Sequence, residues 1–252
     1  MHTYKLLIAY DGTNYSGWQI QTNALSIQSL IEKALQTLLK HPTSVIGAGR
    51  TDAGVHAYGQ VAHFCSAQKI DLPRMQASLN GLLPSDIRIL NIELASDDFH
   101  ARYSALSKEY HYHLHLDLVQ NPLTRLYTYH VLHCTNITLL QQAATLFIGT
   151  HDFTSFASKA LYGCAAKNPV RTISRLDVIT VPGGLRLEFE GNGFLYKMVR
   201  NITGTLIDVA CGKIPLENIP TIFAKKDRGL SGRIAPASGL FLKKVSYPFP
   251  IK

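Results

Sequence analysis

The sequence predicts an α+β protein made of two successive units of similar size. Short apolar stretches with strand composition alternate with stretches in which apolar residues recur every three or four positions, a spacing that indicates helices. This succession occurs twice along the 252 residues, with no low-complexity linker in between. We therefore expect one unit over residues 1–105 and a second over residues 106–252.

The first unit is expected to run β-α-β-α-β. Residues 3–10 have the composition of a strand, and apolar residues from Ile27 to Leu39 form one helical stripe behind Ser26, a typical N-cap residue. The remaining elements are a strand over 60–66, a helix over 73–82 with proline in its first turn, and a strand over 87–94.

The second unit begins with a strand over residues 108–116. A period of two places Tyr110 and Tyr112 on one face and three histidines on the other, namely His111, His113 and His115. The later elements are a helix over 139–148, strands over 172–180 and 185–190, helices over 194–210 and after 215, and a strand over 240–245.

Composition and charge narrow the class of protein. A hydrophobic content of 46% with 17% charged residues is typical of a compact chain. No apolar run approaches the ~20 residues of a membrane span, and the first residues lack the apolar region of a signal peptide, so we expect a cytoplasmic protein. The net charge of +8 favours a polyanionic partner, most commonly nucleic acid.

The four cysteines lie at least 30 residues apart: Cys65, Cys134, Cys164 and Cys211. This spacing argues against a zinc site and against a disulfide framework. We expect reduced and mostly buried thiols.

The most informative segment is residues 47–56, which reads GAGRTDAGVH. Glycines shape a backbone that presents Asp52, and Arg50 could hold this carboxylate ionised. The pattern is neither a dinucleotide fingerprint nor a P-loop, and an anion would repel phosphate. Asp52 is therefore interpreted as a reacting group. The alternative is a tight turn in which Asp52 caps a following helix and pairs with Arg50.

The segment from Arg50 to His56, followed by GQV at 59–61, closely resembles the active-site motif of the TruA-type tRNA pseudouridine synthases. Six further segments resemble motifs of the same family, in the same order: YDGT with GWQ (10–19), FHAR (99–102), KEY (108–110), DFTSF (152–156), GFLYKMVRN (193–201) and APASGL (235–240). The stretch 161–168 matches nothing in the family and receives no role.

The resemblance implies a fold of two related subdomains that share one continuous, largely antiparallel sheet, with helices on its outer face and a basic active cleft across the join. It implies isomerisation of uridine to pseudouridine at positions 38, 39 and 40 in the anticodon stem-loop of tRNA, by a homodimer. Nothing is oxidised and no group is imported, so no cofactor is expected.

The resemblance also implies roles for individual residues. Asp52 would be the nucleophile, and Tyr110 would stack on the uracil and relay a proton. Arg200 would pair with the catalytic aspartate. Arg50 would contact the RNA backbone or displace the target base, and Leu240 would close the apolar side of the base pocket.

Two other functions compete with this hypothesis. A noncatalytic RNA-binding protein could use the same scaffold, because such sheets commonly bind RNA. A metal-dependent hydrolase could use His111, His113 and His115, but solvent-facing histidines without an interleaved carboxylate are more typical of a wet sheet face. We therefore expect no metal site.

Overall fold

The computed structural model of the protein describes residues 1–132, 136–158 and 168–248. The described residues form two compact units, one drawn from the ranges Met1–Leu106 and Phe241–Lys252 and one from the range Ser107–Leu240. Cys134, Cys164 and residues 161–167 of the unassigned stretch lie outside the described residues. The predicted α+β class is confirmed, and most strand pairs are antiparallel.

The first unit contains a sheet whose strands lie in the order β4-β1-β3-β10, with the short β2 paired to β3. Its strands are β1 (His2–Tyr10), β2 (Ile46–Gly47), β3 (His56–Ser66), β4 (Ile87–Ala95) and β10 (Leu240–Ser246). Its helices are α1 (Ile27–Leu39) and α2 (Leu72–Leu82). The expected β-α-β-α-β order is confirmed, with β2 as an added short strand.

Local sequence explains where both helices begin. Ser26 caps α1 through a reciprocal pair of hydrogen bonds with Ser29, and Asp71 caps α2 through the backbone amide of Arg74. The apolar stripe of α1 is buried as expected: Ile27, Ile31, Ala34, Leu35 and Leu39. Helix α2 is held to β4 by the side-chain amide of Asn80, which donates to the carbonyl of Ile89 at 2.9 Å.

The second unit contains a sheet in the order β5-β9-β8-β7, with β6 paired to β5. Its strands are β5 (Ser107–His115), β6 (Tyr129–His130), β7 (Gly149–Asp152), β8 (Val170–Val181) and β9 (Gly184–Gly191). Its helices are α3 (Ile137–Thr145), α4 (Met198–Ala210) and α5 (Asn218–Lys225). Four phenylalanines form much of its aromatic core: Phe147, Phe153, Phe156 and Phe223.

Three predicted helix boundaries in the second unit are wrong. Helix α4 begins at Met198 rather than at residue 194, because Lys197 adopts a left-handed backbone conformation with φ of 60°. Helix α3 begins two residues earlier than expected, because Asn136 caps it through the amide of Leu139. It ends at Thr145 rather than at residue 148.

The C-terminal strand belongs with the first unit, although the sequence assigned all of 106–252 to the second. Phe241 pairs in parallel with His56, and Leu242 pairs with Ala57. A strand joins whichever sheet edge satisfies its backbone hydrogen bonds, and proximity in sequence does not decide this.

The side chain of Cys65 is exposed, which corrects the expected burial at this position. Its neighbours Phe64 and Ser66 in β3 are buried, as the alternation of a strand requires. Separately, none of the helices in the described part of the chain has the length and apolar character that a membrane crossing needs.

Candidate active site

Asp52 lies in the loop that connects β2 to β3 in the first unit. Its side chain is half-buried, whereas Arg50 in the same loop is exposed. The carbonyl of Asp52 accepts the amide of Val55 at 3.1 Å, and Gly54 completes the turn with φ of 77°. Because a strand follows this turn, the alternative in which Asp52 caps a helix is wrong.

The opening segment of the chain holds the Asp52 loop by close backbone contact. The amide of Trp18 donates to the carbonyl of Thr51 at 3.1 Å. Gly17 has φ of 89°, and a Cβ added there would lie 2.3 Å from the same carbonyl oxygen. A Cβ on Gly12 would lie 2.0 Å from the carbonyl oxygen of Val55. Only glycine allows this approach, so the GWQ and YDGT segments act as supports of the loop.

Side chains beneath the loop complete its support. Gln60 is fully buried and donates its amide to the carbonyl of Gly49 at 2.9 Å. The hydroxyl of Tyr10 lies 2.8 Å from Oγ1 of Thr51. Burial raises the pKa of Tyr10 above its ordinary value, so this hydroxyl stays protonated at neutral pH. The buried side chains of Gln60 and Tyr10 thus have hydrogen-bond partners in the loop, which favours a single loop conformation.

His56 has a positional role that the sequence did not reveal. Its Nδ1 accepts the amide of Gly12 at 3.1 Å and lies 3.0 Å from Oδ1 of Asp11. Its ring stacks on Phe241 with centroids 4.5 Å apart. His56 therefore ties the YDGT segment to β3 and β10. No spacing signal in the sequence could have shown this, because the partners are more than 40 residues away.

His63, the other histidine of β3, supports the FHAR segment. Its Nδ1 accepts the amide of Ala101 at 3.1 Å, and its ring meets the ring of His100 edge-on at 4.8 Å. Burial, and to a lesser extent the charge on His100, lowers the pKa of His63. This histidine is therefore a neutral structural group.

Tyr110 lies in β5 of the second unit, opposite Phe189 in the strand register. It is 7% exposed, and its ring meets Phe194 edge-on with centroids 5.2 Å apart. Phe194 belongs to the GFLYKMVRN segment, so two of the motif segments meet at this tyrosine.

Tyr112 is a core residue, as the sequence favoured. Its hydroxyl donates to the carbonyl of Pro236 at 2.7 Å, and a Cβ on Gly239 would lie 2.7 Å from its ring. Burial raises the pKa of Tyr112 well above its ordinary value, although the charge of Arg200 acts in the opposite direction. The APASGL segment is thereby packed on β5.

Arg200 lies near the start of α4 and is half-buried. Its Nε donates to the carbonyl of Ala235 at 2.8 Å, and the amide of Ala235 donates to the carbonyl of Arg200 at 3.1 Å. Leu240, which is 6% exposed, ends the same APASGL segment. Within the second unit, the backbone of residues 235–240 thus connects Arg200, Tyr112 and Leu240.

Asn201 and Arg228 are further residues that the sequence did not single out. The buried amide of Asn201 donates to the carbonyl of Phe156 at 3.0 Å. Nη2 of Arg228 donates to Oδ1 of Asn201 at 2.8 Å, and Nη1 donates to Oγ of Ser231 at 2.8 Å. This network joins α4 to the DFTSF segment, so the contact between the GFLYKMVRN and DFTSF segments has a structural role.

The three strand histidines do not form a wet sheet face, which corrects the expectation. His111 and His115 are buried, each 8% exposed. Nε2 of His111 lies 2.8 Å from Oε1 of Glu109, which the alternation of β5 places on the same face. Glu188 of β9 approaches the same ring nitrogen at 3.8 Å.

Glu109, His111 and Glu188 bring their donor atoms within 4.8 Å of one another, a spacing that could hold a metal ion. The guanidinium of Arg175 already forms ion pairs with these carboxylates, however. Arg175 contacts Glu188 at 2.6 Å and Glu109 at 3.1 Å. Burial alone would raise the pKa of both carboxyls, but His111 and the arginines outweigh it and lower them. We assign this cluster as an ion-pair network across three strands.

The predicted site residues therefore fall into two sets. Asp52 and Arg50 belong to the first unit, and Tyr110, Arg200 and Leu240 belong to the second. In each unit the predicted residues lie on segments that glycine contacts and backbone hydrogen bonds hold in place.

Comparison with known proteins agrees with the motifs. A model of the tRNA pseudouridine synthase family matches residues 6–104 and 143–248. The chain is 61% identical over 248 residues to tRNA pseudouridine synthase A 1 of Protochlamydia amoebophila, covering 98% of this chain and 97% of that protein. It is 45% identical to tRNA pseudouridine synthase A of Acetivibrio thermocellus, covering 98% of this chain and 100% of that protein.

The corresponding protein of Chlamydia muridarum is 46% identical, with 97% of this chain and 92% of that protein covered. Among solved structures, the crystal structure of a Cbf5-Nop10-Gar1 complex matches with a TM-score of 0.33 and 12% identity, covering 83% of this chain and 54% of that chain. That likeness is too small to carry an argument. The sequence matches confirm the expected family and enzyme class: the chain belongs to the tRNA pseudouridine synthase family.

Proposed function

We propose that the protein isomerises uridine to pseudouridine at positions 38, 39 and 40 in the anticodon stem-loop of tRNA, with Asp52 as the nucleophile. Family membership supports pseudouridine formation in tRNA. The observation that carries the role of Asp52 is its loop, in which glycine contacts and buried hydrogen bonds present a half-buried carboxylate. Such positioning is what a reacting group requires.

The reaction breaks the bond between N1 of uracil and C1′ of ribose, turns the base, and forms a bond from C5 to C1′. The proton leaves C5 and a proton is gained at N1, so atoms and electrons balance without any cofactor. A carboxylate nucleophile splits this into two easier steps. We favour attack at C1′, by analogy with the carboxylates that stabilise oxocarbenium character in glycoside hydrolysis.

The other residues keep the roles that the family resemblance implies. Tyr110 stacks on the uracil and relays the proton from C5. Arg200 has the role of the cation that pairs with the catalytic carboxylate. Arg50, which is exposed, contacts the RNA backbone or displaces the base, and Leu240 closes the apolar side of the base pocket.

The target base must leave its stack before it can react. Flipping costs a few kcal/mol and is least costly near a hairpin loop, where stacking is weak. Contacts to phosphates and 2′-hydroxyls suit a basic protein and three neighbouring targets, because they read shape rather than sequence. The proposal includes a cytoplasmic homodimer; light scattering should give about twice the chain mass of 27.9 kDa.

The second candidate function is a noncatalytic RNA-binding protein on the same scaffold. The two are separated by incubating an anticodon-arm hairpin with the protein and mapping pseudouridine chemically. We expect product with the wild type and none with Asp52→Ala or the isosteric Asp52→Asn. RNA binding should stay within about threefold of wild type for both variants, because the nucleophile acts mainly in the transition state.

The matched control is Asp97→Asn, an exposed aspartate of the same unit, which should form product at the wild-type rate. Pseudouridine formed by Asp52→Asn at an undiminished rate would remove Asp52 from the chemistry. RNA binding without any product from the wild type would favour the noncatalytic alternative.

A further inference from the structure

The first unit carries a stack of side chains that leads from its interior to solvent. We call it the Tyr58 stack; it consists of His56, Phe241, Tyr58 and Lys243. The parallel register of β3 and β10 pairs Phe241 with His56, and strand alternation places the next two members on the same face. The ring of Phe241 stacks on His56 at 4.5 Å and on Tyr58 at 5.1 Å, and Nζ of Lys243 lies 4.9 Å from the centroid of Tyr58.

Burial decreases along the Tyr58 stack. His56 and Phe241 are buried, Tyr58 is 49% exposed, and Lys243 is exposed. Across the described ranges of the chain, no carboxylate lies within ion-pair distance of the Lys243 ammonium. The stack therefore ends in a positive charge that faces solvent and is steadied by an aromatic ring.

The same stack is anchored to the framework of the Asp52 loop. His56 accepts the amide of Gly12, and the backbone of Gly12 lies directly against Val55, the residue before His56. Strand β3 begins four residues after Asp52. The Tyr58 stack and the Asp52 loop therefore share one support, the segment around Gly12.

We propose that Lys243, held by the Tyr58 stack, binds a backbone phosphate of the RNA strand that carries the target uridine. An ammonium is a suitable point charge for phosphate, and phosphate contacts dominate the affinity of proteins for nucleic acids. The ring restrains a flexible side chain before binding, which lowers the entropic cost of the contact. The identity of the RNA rests on the proposed function; the location of the contact does not.

The chain offers a matched control in the next residue. Lys244 is also exposed and also in β10, but strand alternation points it to the opposite face. Tyr58 offers a second control, because Tyr58→Phe keeps the ring beneath the ammonium and Tyr58→Leu removes it. Thermal melting of each variant verifies that it is folded.

The experiment measures binding of an anticodon-arm hairpin between 50 and 200 mM salt, together with kcat and KM for pseudouridine formation. For Lys243→Ala we expect binding at 50 mM salt to weaken about five- to tenfold, and the slope of log K against log salt to fall by about 1. KM should rise while kcat stays near wild type, because a remote phosphate contact binds ground and transition states alike.

Lys244→Ala should behave as wild type, Tyr58→Leu should weaken binding about threefold, and Tyr58→Phe should weaken it less than Tyr58→Leu. The proposal is overturned if Lys243→Ala and Lys244→Ala change affinity and slope equally, or if neither changes them. Product formation by the wild type without an effect of Lys243→Ala would remove this contact and leave the proposed function intact. A salt slope that depends on Lys243, without any product from the wild type, would support this contact and remove the proposed function.

Discussion

At the scale of single residues, the positions that shape the Asp52 loop are glycines of the opening segment. Gly17 has a left-handed backbone, and a Cβ there would meet the carbonyl of Thr51. Position 17 therefore requires glycine for two reasons: its backbone has a positive φ, and a Cβ would collide with the neighbouring carbonyl. It explains why the GWQ segment accompanies the loop although some 30 residues separate them.

The first prediction concerns Gly17→Ala. The added methyl group must displace Thr51 and with it Asp52, and a shift of about 1 Å costs roughly 100-fold in rate. We expect pseudouridine formation to fall by about this factor in a single-turnover assay. Gly212→Ala is the control, because Gly212 also has positive φ, 70°, but has open space around its Cβ position. It should lose about 1 kcal/mol of stability and keep its rate; equal rates for both variants would contradict the argument.

The second prediction concerns the protonation of His63. Burial lowers its pKa below the ordinary value of 6.5. The unfolded chain therefore takes up this proton at a higher pH than the folded protein. Below pH 6.5 the free energy of unfolding should accordingly fall as the pH drops toward the folded-state pKa. NMR titration of the imidazole protons provides the measurement. A His63 midpoint at or above 6.5 would show that the ring is not desolvated as described.

At the scale of elements, two helical glycines differ in the space around their Cβ positions. Gly81 lies in α2 with nothing within 4 Å of its Cβ position. Gly204 lies in α4, where a Cβ would be 1.6 Å from the carbonyl oxygen of Arg233. The segment that follows Arg228 is therefore in direct backbone contact with α4, and it continues to Ala235, the partner of Arg200.

The third prediction compares the two alanine substitutions by thermal and chemical unfolding. Gly81→Ala should stabilise the protein by about 0.5–1 kcal/mol, because alanine loses less backbone entropy in a helix. Gly204→Ala should destabilise it by about 2 kcal/mol or more, since the helix and the adjoining segment must separate. A stabilised Gly204→Ala would show that this segment is not packed on α4.

At the scale of the whole molecule, the dominant property is an excess of positive charge, +8 over 252 residues. Such a charge attracts a polyanion over distances set by salt. The fourth prediction is that affinity for the anticodon arm falls at least about tenfold between 50 and 200 mM salt, as counterion release requires. Filter binding or fluorescence anisotropy measures this dependence. Flat binding over this range would contradict an RNA partner.

Periodicity predicted most elements, because helices and strands repeat every 3.6 and every two residues. Strand β5, helices α1 and α2, and the hairpin of β8 and β9 appear close to their expected bounds. The start of α4 was missed, since a left-handed lysine leaves no compositional mark. The burial of His111 was missed as well, because Glu188, which approaches its ring nitrogen, and Arg175, which pairs with that carboxylate, come from other strands.

By itself, the sequence determined the α+β class, the N-cap of α1 and the family, and it predicted the residues to which chemistry is assigned. These depend on local propensity and on motif identity, and both can be recognised from residues that are close together in the sequence. Only the tertiary structure decided that β10 joins the first unit, that Gly12 and Gly17 support the Asp52 loop, and that Arg175 pairs with carboxylates of both β5 and β9. Those facts depend on contacts between residues far apart in sequence, where close packing and the need to satisfy buried polar groups select one arrangement.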